Sequence, residues 1–224
     1  MTFFQLTALA LAAVWLLVTV VWFRRSRVVL AAGLLGIGLY TLIALVSHRA
    51  TLDDLGLESP HSWLLTIVLA VAWLGLTLAY SPVADWLATG WVKQPPTLDS
   101  FHVIQQSKAK LVGGIMVAWI LGGFLEELVA RGIVLKSLES LLAPWLTVPV
   151  AAGLAVCIAA LGAGALHLYQ GPRAVVIITQ ISVLFGILFV VSGYRLWAVI
   201  LCHGVYDSVA FVRFANKRSK YSNP

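Results

Sequence analysis

Charge is scarce in this chain: Asp, Glu, Lys and Arg together make up 11% of its 224 residues, whereas 61% are hydrophobic. A water-soluble domain of that length cannot hide so much apolar surface, so the composition excludes an ordinary soluble fold and points to a polytopic membrane protein. Cysteine is almost absent. Cys157 and Cys202 both fall within apolar segments, without the spacing of a disulfide framework or a zinc knuckle, and read as core packing. Internal repeats and low-complexity segments are lacking too. The formal net charge of +6 forms no single basic patch, which removes the main argument for a nucleic-acid partner. Three catalytic signatures are missing as well. There is no His-Glu-x-x-His zinc-protease motif, no serine in a glycine-rich setting, and no second intramembrane aspartate to make a dyad beside Tyr206-Asp207.

What the chain does have is long apolar runs. Residues 3–23, 28–47, 62–80, 111–142, 148–167, 174–192 and 196–211 predict seven spanning helices, hence an all-α transmembrane bundle. Arg24, Arg25 and Arg27 follow the first run rather than precede it, the reverse of a cleavable signal peptide, so the first helix is expected to stay. Residues 81–110 carry Pro82, Pro95 and Pro96 with Trp86 and Trp91, and read as an interfacial connection with one short amphipathic turn. The loop bearing Asp53, Asp54 and Glu58 reads as external. With the N-terminus outside, eleven of the fifteen basic residues fall on the cytoplasmic side: Arg24, Arg25, Arg27, Lys93, Lys108, Lys110, Arg173, Arg213, Lys217, Arg218 and Lys220. This order places His167 near the inner end of its span and His203 nearer the outer end, a difference in depth that tilted helices or a thinned bilayer would absorb. The expected organisation is an N-terminal helical part with the connection (1–110), a catalytic helical core (111–213) and a basic cytoplasmic tail (214–224). The expected location is a multi-pass position in the cell membrane, bacterial or archaeal.

One patch of charge interrupts these runs, at Phe124-Leu125-Glu126-Glu127-Leu128-Val129-Ala130-Arg131-Gly132. Ionisable groups at membrane depth are costly unless paired or wetted, and so mark function by default. Glu127 and Arg131, four apart, share a helix face and can pair, a contact that also suits a purely structural role. Glu126 points about 100° away and is left free for chemistry. Of the remaining acids only Asp207 lies at membrane depth, and of the five histidines only His167 and His203 do. His203 and Asp207 face the same way on the last helix. Glutamate beside imidazole is the pairing that takes a proton from water and returns it to a leaving amine. Two histidines with two carboxylates, Glu126, His167, His203 and Asp207, also have the donor types for zinc, although a metal-independent site is favoured here. Tyr169, Gln170 and Arg173 are candidates for substrate contact or interfacial anchoring; Trp63, Trp73 and Trp119 read as packing or lipid-facing residues.

Taken together, Glu126-Glu127-x-x-x-Arg131, a helix ending in His167, and His203-x-x-x-Asp207 resemble the three motifs of the CPBP family, the CAAX-processing and bacteriocin-processing intramembrane proteases also called glutamic-type or Abi proteases. The resemblance covers about residues 111–211. It implies that Glu126 activates the attacking water, that His167 helps to hold it, and that His203 stabilises the oxyanion with Asp207 contributing. It also implies a membrane-associated protein or peptide substrate, without a cofactor. Two positions depart from the pattern. Ala163 stands where the second motif usually has Phe, which bears on pocket shape, and Asp207 stands where Asn is frequent. An ionised aspartate only accepts hydrogen bonds, so Asp207 is expected to orient His203. Two other readings are a non-catalytic scaffold or immunity protein built on the same fold, and a proton or cation carrier using the same groups.

Overall fold

The computed structural model describes residues 1–22 and 26–219, and among them no strand occurs. Arg24, Arg25 and Lys220, expected on the cytoplasmic side, and residues 220–224 of the expected tail lie outside the described residues. Seven helices are long and apolar enough to cross a membrane: α1 (Phe3–Val21), α2 (Arg27–Val46), α3 (Trp63–Trp91), α4 (Lys108–Leu142), α5 (Val148–Leu166), α6 (Pro172–Val191) and α7 (Trp197–Ser219). The protein is thus an all-α, multi-pass membrane protein. Large apolar side chains such as Val14, Leu39, Leu64, Val71 and Leu161 stand exposed on the outside, as a lipid-facing surface requires.

One expected boundary is wrong. The third helix does not stop at Tyr80 but runs on to Trp91 through Pro82, so that Asp85, assigned to a loop from its sequence, is helical. Proline costs a helix its backbone bond, but neighbouring groups in a membrane bundle offset that loss. Ala84 and Ala88 are fully buried on the inner face, Asp85 pairs with Arg173 at 2.7 Å, and Gln180 donates to the Ala84 carbonyl at 3.3 Å. These contacts make the extra turns worth keeping. They also account for Arg173, whose charge is spent on holding α3 to the start of α6. The expected short turn in the connection is present as a 3-10 turn over Asp99–Gln105.

Helix α4 is the hub. Its middle touches α2 and α7, and its second half touches α1, α5 and α6. Close approach to α7 depends on glycine: a Cβ at Gly123 would lie 3.3 Å from the Gly204 Cα, and one at Gly204 only 2.5 Å from the Trp119 ring. Trp119 lies over Gly204 and donates its indole N–H to Ser208 Oγ at 3.0 Å. It is therefore a packing residue, one of the two roles open to it from the sequence. Helix α5 lies along α6 in close contact at glycines, since a Cβ at Gly164 would meet Thr179 and one at Gly186 would lie 2.8 Å from Val156, and small residues let the backbones approach where no water-driven collapse is available.

The two ends of the bundle differ in their polar chemistry. At one end Arg195 bonds Asp53 and Glu58, at 3.1 and 2.5 Å, and so straps the acidic loop across the turn between α6 and α7. Tyr194 in that turn donates to Glu139 Oε1 at 2.8 Å. At the other end the Arg27 guanidinium sits 5.4 Å from the Phe101 ring centroid and 5.5 Å from that of Tyr169.

Two predictions follow from this packing. Gly204→Leu should displace Trp119 and cost about 1–3 kcal/mol, as overpacking does; thermal unfolding in detergent would show it, and an unchanged midpoint would mean that the α4–α7 crossing is slack. Burial, and then the bond to Glu139, raise the Tyr194 phenol above its usual value of 10.0. Because the fold favours the protonated phenol, this contribution is complete below pH 10 and is lost as pH rises beyond it. Tyr194→Phe should flatten that alkaline limb in a stability-against-pH series, and a limb of equal slope in both proteins would refute the assignment.

Candidate active site

Glu126 and Glu127 lie where α4 widens into π-helical turns, over Trp119–Glu126 and Leu128–Leu135. Such turns are concentrated at functional sites. The two carboxylates diverge as the spacing predicts. Glu127 turns inward, fully buried, with Arg131 Nη1 3.1 Å from both its oxygens. The same Oε1 is 2.5 Å from His203 Nδ1. Arg131 in turn donates through Nη2 to the Ser182 carbonyl at 2.8 Å and to Ser182 Oγ at 2.5 Å. Phe185 covers the assembly, its ring 4.9 Å from that of His203 and 5.8 Å from the Arg131 guanidinium carbon.

Glu126 takes no part in this chain. Among the described residues it makes no ion pair or hydrogen bond, and it lines a cavity of about 710 Å³ together with His167, His203, Asp207, Tyr206 and Arg27. All four groups expected to converge do face this one space. The lining of the cavity includes both His167 and His203, together with Arg27, Phe101 and Phe185. Their pairing differs from the expectation. Glu127, rather than Asp207, holds the His203 ring through Nδ1, and Asp207 Oδ2 stands 3.5 Å from the other nitrogen, Nε2. Gly122 makes room for this, since a Cβ there would be 3.0 Å from Asp207 Oδ2.

His167 opens a 3-10 turn at the end of α5, and its Nδ1 lies 2.9 Å from the Ala163 carbonyl. A carbonyl only accepts, so Nδ1 carries the hydrogen, and in the neutral ring Nε2 is left as an acceptor. Tyr169 packs 5.8 Å from the His167 ring and accepts from Gln170 Nε2 at 2.7 Å. A zinc site needs three or four nitrogen, sulfur or carboxylate donors around one point. Both His203 nitrogens already face carboxylates, and among the described residues no three His, Cys, Asp or Glu side chains converge as a metal site.

Several members of the site were missed in the sequence. Ser182, Phe185 and Arg27 come from outside the three motifs. Nothing in the order of residues says that Ser182, one serine in an apolar run, will meet a buried arginine 51 positions away. The glycines at 122, 123 and 204 were the available signal, since they mark where helices carrying the motifs can touch.

The family model for type II CAAX prenyl endopeptidases, Rce1-like, matches residues 108–209, from the start of α4 to well into α7. That segment is thus similar to the CPBP/CAAX protease family. The match spans Glu126, Glu127, Arg131, His167, Ser182, His203 and Asp207, and leaves α1, α2 and α3 outside it. No curated protein and no solved structure gave a match.

The buried chain yields a stability prediction. Arg131→Met should strand the Glu127 charge and cost about 3–5 kcal/mol, whereas the double change Arg131→Met with Glu127→Leu should recover much of that loss. Chemical or thermal unfolding of both variants tests this; a double variant no more stable than the single one would show that the pair is not an isolated charge balance.

Proposed function

We propose that the protein is an intramembrane endopeptidase in which Glu126 activates water. The single observation supporting this is that Glu126 is a half-buried carboxylate with no partner among the described residues, on the wall of a cavity that also holds His167, His203 and Asp207. In this reading Glu126 takes a proton from the water as the oxygen attacks the carbonyl carbon, and His167 Nε2 holds the water in place. His203, whose Nδ1–H is given to Glu127, acts as the imidazolium, and its second hydrogen, on Nε2, meets the tetrahedral oxyanion; its contact with Asp207, at 3.5 Å, is too long to be a strong competitor. Glu126 then gives its proton to the leaving amine, and the C–N bond breaks. Glu127 and Arg131 are positioning residues, which fix the His203 ring by its far nitrogen.

The substrate in this reading is a membrane-associated protein or peptide, cleaved without a metal. The same proposal puts the protein in a bacterial or archaeal plasma membrane with the C-terminus cytoplasmic. In support, Arg27 and Arg173 lie toward one end of the bundle and Arg195 toward the other, as a chain crossing seven times would order them.

Cleavage of membrane-tethered peptides by purified protein tests the chemistry. Glu126→Gln should lower kcat by about 10²–10⁴, the usual contribution of a general base, with folding unchanged. A strong chelator should alter nothing. Equal rates for wild type and Glu126→Gln would remove Glu126 from the reaction, and a chelator that stops the wild type would require a metal. Asp207→Asn should retain cleavage, because the amide can donate to the oxyanion where the carboxylate cannot. Its complete inactivation would mean that the Asp207 charge itself is needed.

A further inference from the structure

The hydrogen bonds at the end of α5 leave one donor over. A phenol oxygen carries one hydrogen and two lone pairs. On Tyr169 a lone pair is taken by Gln170 Nε2, at 2.7 Å, and among the described residues nothing accepts the hydrogen. Polar groups inside a protein are ordinarily paired, so an unclaimed donor points to a partner that arrives with the ligand. The ring has little freedom to seek one elsewhere. It lies between the His167 ring, 5.8 Å away, and the Arg27 guanidinium carbon, 5.5 Å from its centroid. The turn that carries it is pinned at both ends. His167 Nδ1 bonds the Ala163 carbonyl at its start, and the Gln170 carbonyl accepts from the Thr97 N–H at 2.8 Å at its finish. Gly171 follows with a φ of 96°, in the left-handed region that glycine adopts without strain, and lets the chain turn away into α6.

Resting on the protease reading, we propose that the Tyr169 O–H is a substrate-binding donor, which takes a main-chain carbonyl of the bound peptide one or two residues from the scissile bond. Tyr169 lines the same cavity as Glu126 and His167. Much of the wall there is apolar, with Leu30, Leu34, Val117, Leu121 and Ile177 among its members, so an extended peptide meets few donors and each carbonyl left unpaired is costly. His203 serves the scissile carbonyl in the proposed chemistry, and the neighbouring carbonyls need other groups. Spacing then places the contact. A strand rises about 3.3 Å per residue, so a ring 5.8 Å from His167, the group that holds the water, stands one to two residues along from the bond that is cut. The other common use of a tyrosine near a helix end is to anchor the protein at the membrane interface. Trp86, Trp91 and Trp145 have the exposure which that use requires, whereas Tyr169 is half-buried.

The test is a double-mutant cycle between protein and peptide, with the full protein in lipid nanodiscs. In a membrane-tethered peptide, each peptide bond near the cut is replaced in turn by a trans-alkene, which lacks the carbonyl and the N–H, or by an ester, which keeps the carbonyl. At one position within two residues of the cleaved bond, wild type should lose about tenfold in kcat/KM for the alkene, the usual effect of stranding one hydrogen-bond partner, and much less for the ester. Tyr169→Phe keeps the ring and its neighbours. It should cleave the parent peptide about tenfold more slowly than wild type and lose nothing further with the alkene at that position. Equal rates for the two proteins on the parent peptide, or an alkene penalty that persists unchanged in Tyr169→Phe, overturn the proposal, while cleavage itself upholds the protease reading. A Tyr169→Phe defect that follows the headgroups of the nanodisc and not the replaced bond also overturns it, and assigns the hydroxyl to the interface. If wild type cleaves no peptide, the protease reading falls, and equilibrium binding of the same peptides decides the donor: an alkene penalty present in wild type and absent in Tyr169→Phe upholds it, and no such position overturns it.

Discussion

A carboxylate with no access to water has to be balanced on the spot, and in this bundle Glu127 is balanced from two sides. Arg131 meets it from its own helix and His203 from α7, while Ser182 on α6 satisfies what remains of the guanidinium. Three helices are thereby fixed to one another through groups that cannot be left unpaired. An isolated charge in such surroundings costs several kcal/mol, so the relative rotation of α4, α6 and α7 has little freedom. The chemical site inherits its geometry from that constraint. His203 is aimed into the cavity because its other nitrogen is held, and Glu126 faces the same cavity because its neighbour is committed inward.

The division of labour between adjacent glutamates was legible from spacing alone. A separation of four residues from Glu127 to Arg131 predicts their contact, and a helical step of one residue predicts that Glu126 looks elsewhere. The seven helices were equally legible, since long apolar runs have few alternatives in a membrane. Helix α3 was cut short because Pro82 and Asp85 are local breakers of an apolar pattern. Their acceptability depends on Arg173 and Gln180, roughly ninety residues further on, which no window along the chain can register.

The site's interhelical contacts were less legible for a related reason. Helical periodicity tells which residues share a face, but not which face meets which neighbour. Whether His203 would bond Glu126, Glu127 or Asp207 depends on how closely α4 and α7 approach, and that is decided by hydrogen atoms at Gly123 and Gly204 in place of side chains. The expectation that Asp207 orients the ring was a consequence of looking along one helix only. Ala163 illustrates the same limit in reverse: as a departure from a motif it signals altered shape, but only the assembled bundle shows that the altered shape is a space beside Glu126.

The touching backbones of α4 and α7 have a bearing on how anything reaches the site. Two helices in contact through glycine have no side chains between them to rearrange, so they can neither part gradually nor slide without breaking the ion chain just beneath the crossing. The helices that carry the Glu127, Arg131 and His203 chain are therefore the stator of the molecule. The opposite wall is joined differently: there α2 meets the connection and the end of α5 through a guanidinium resting on two aromatic faces, an attachment that can be released and remade without stranding a charge.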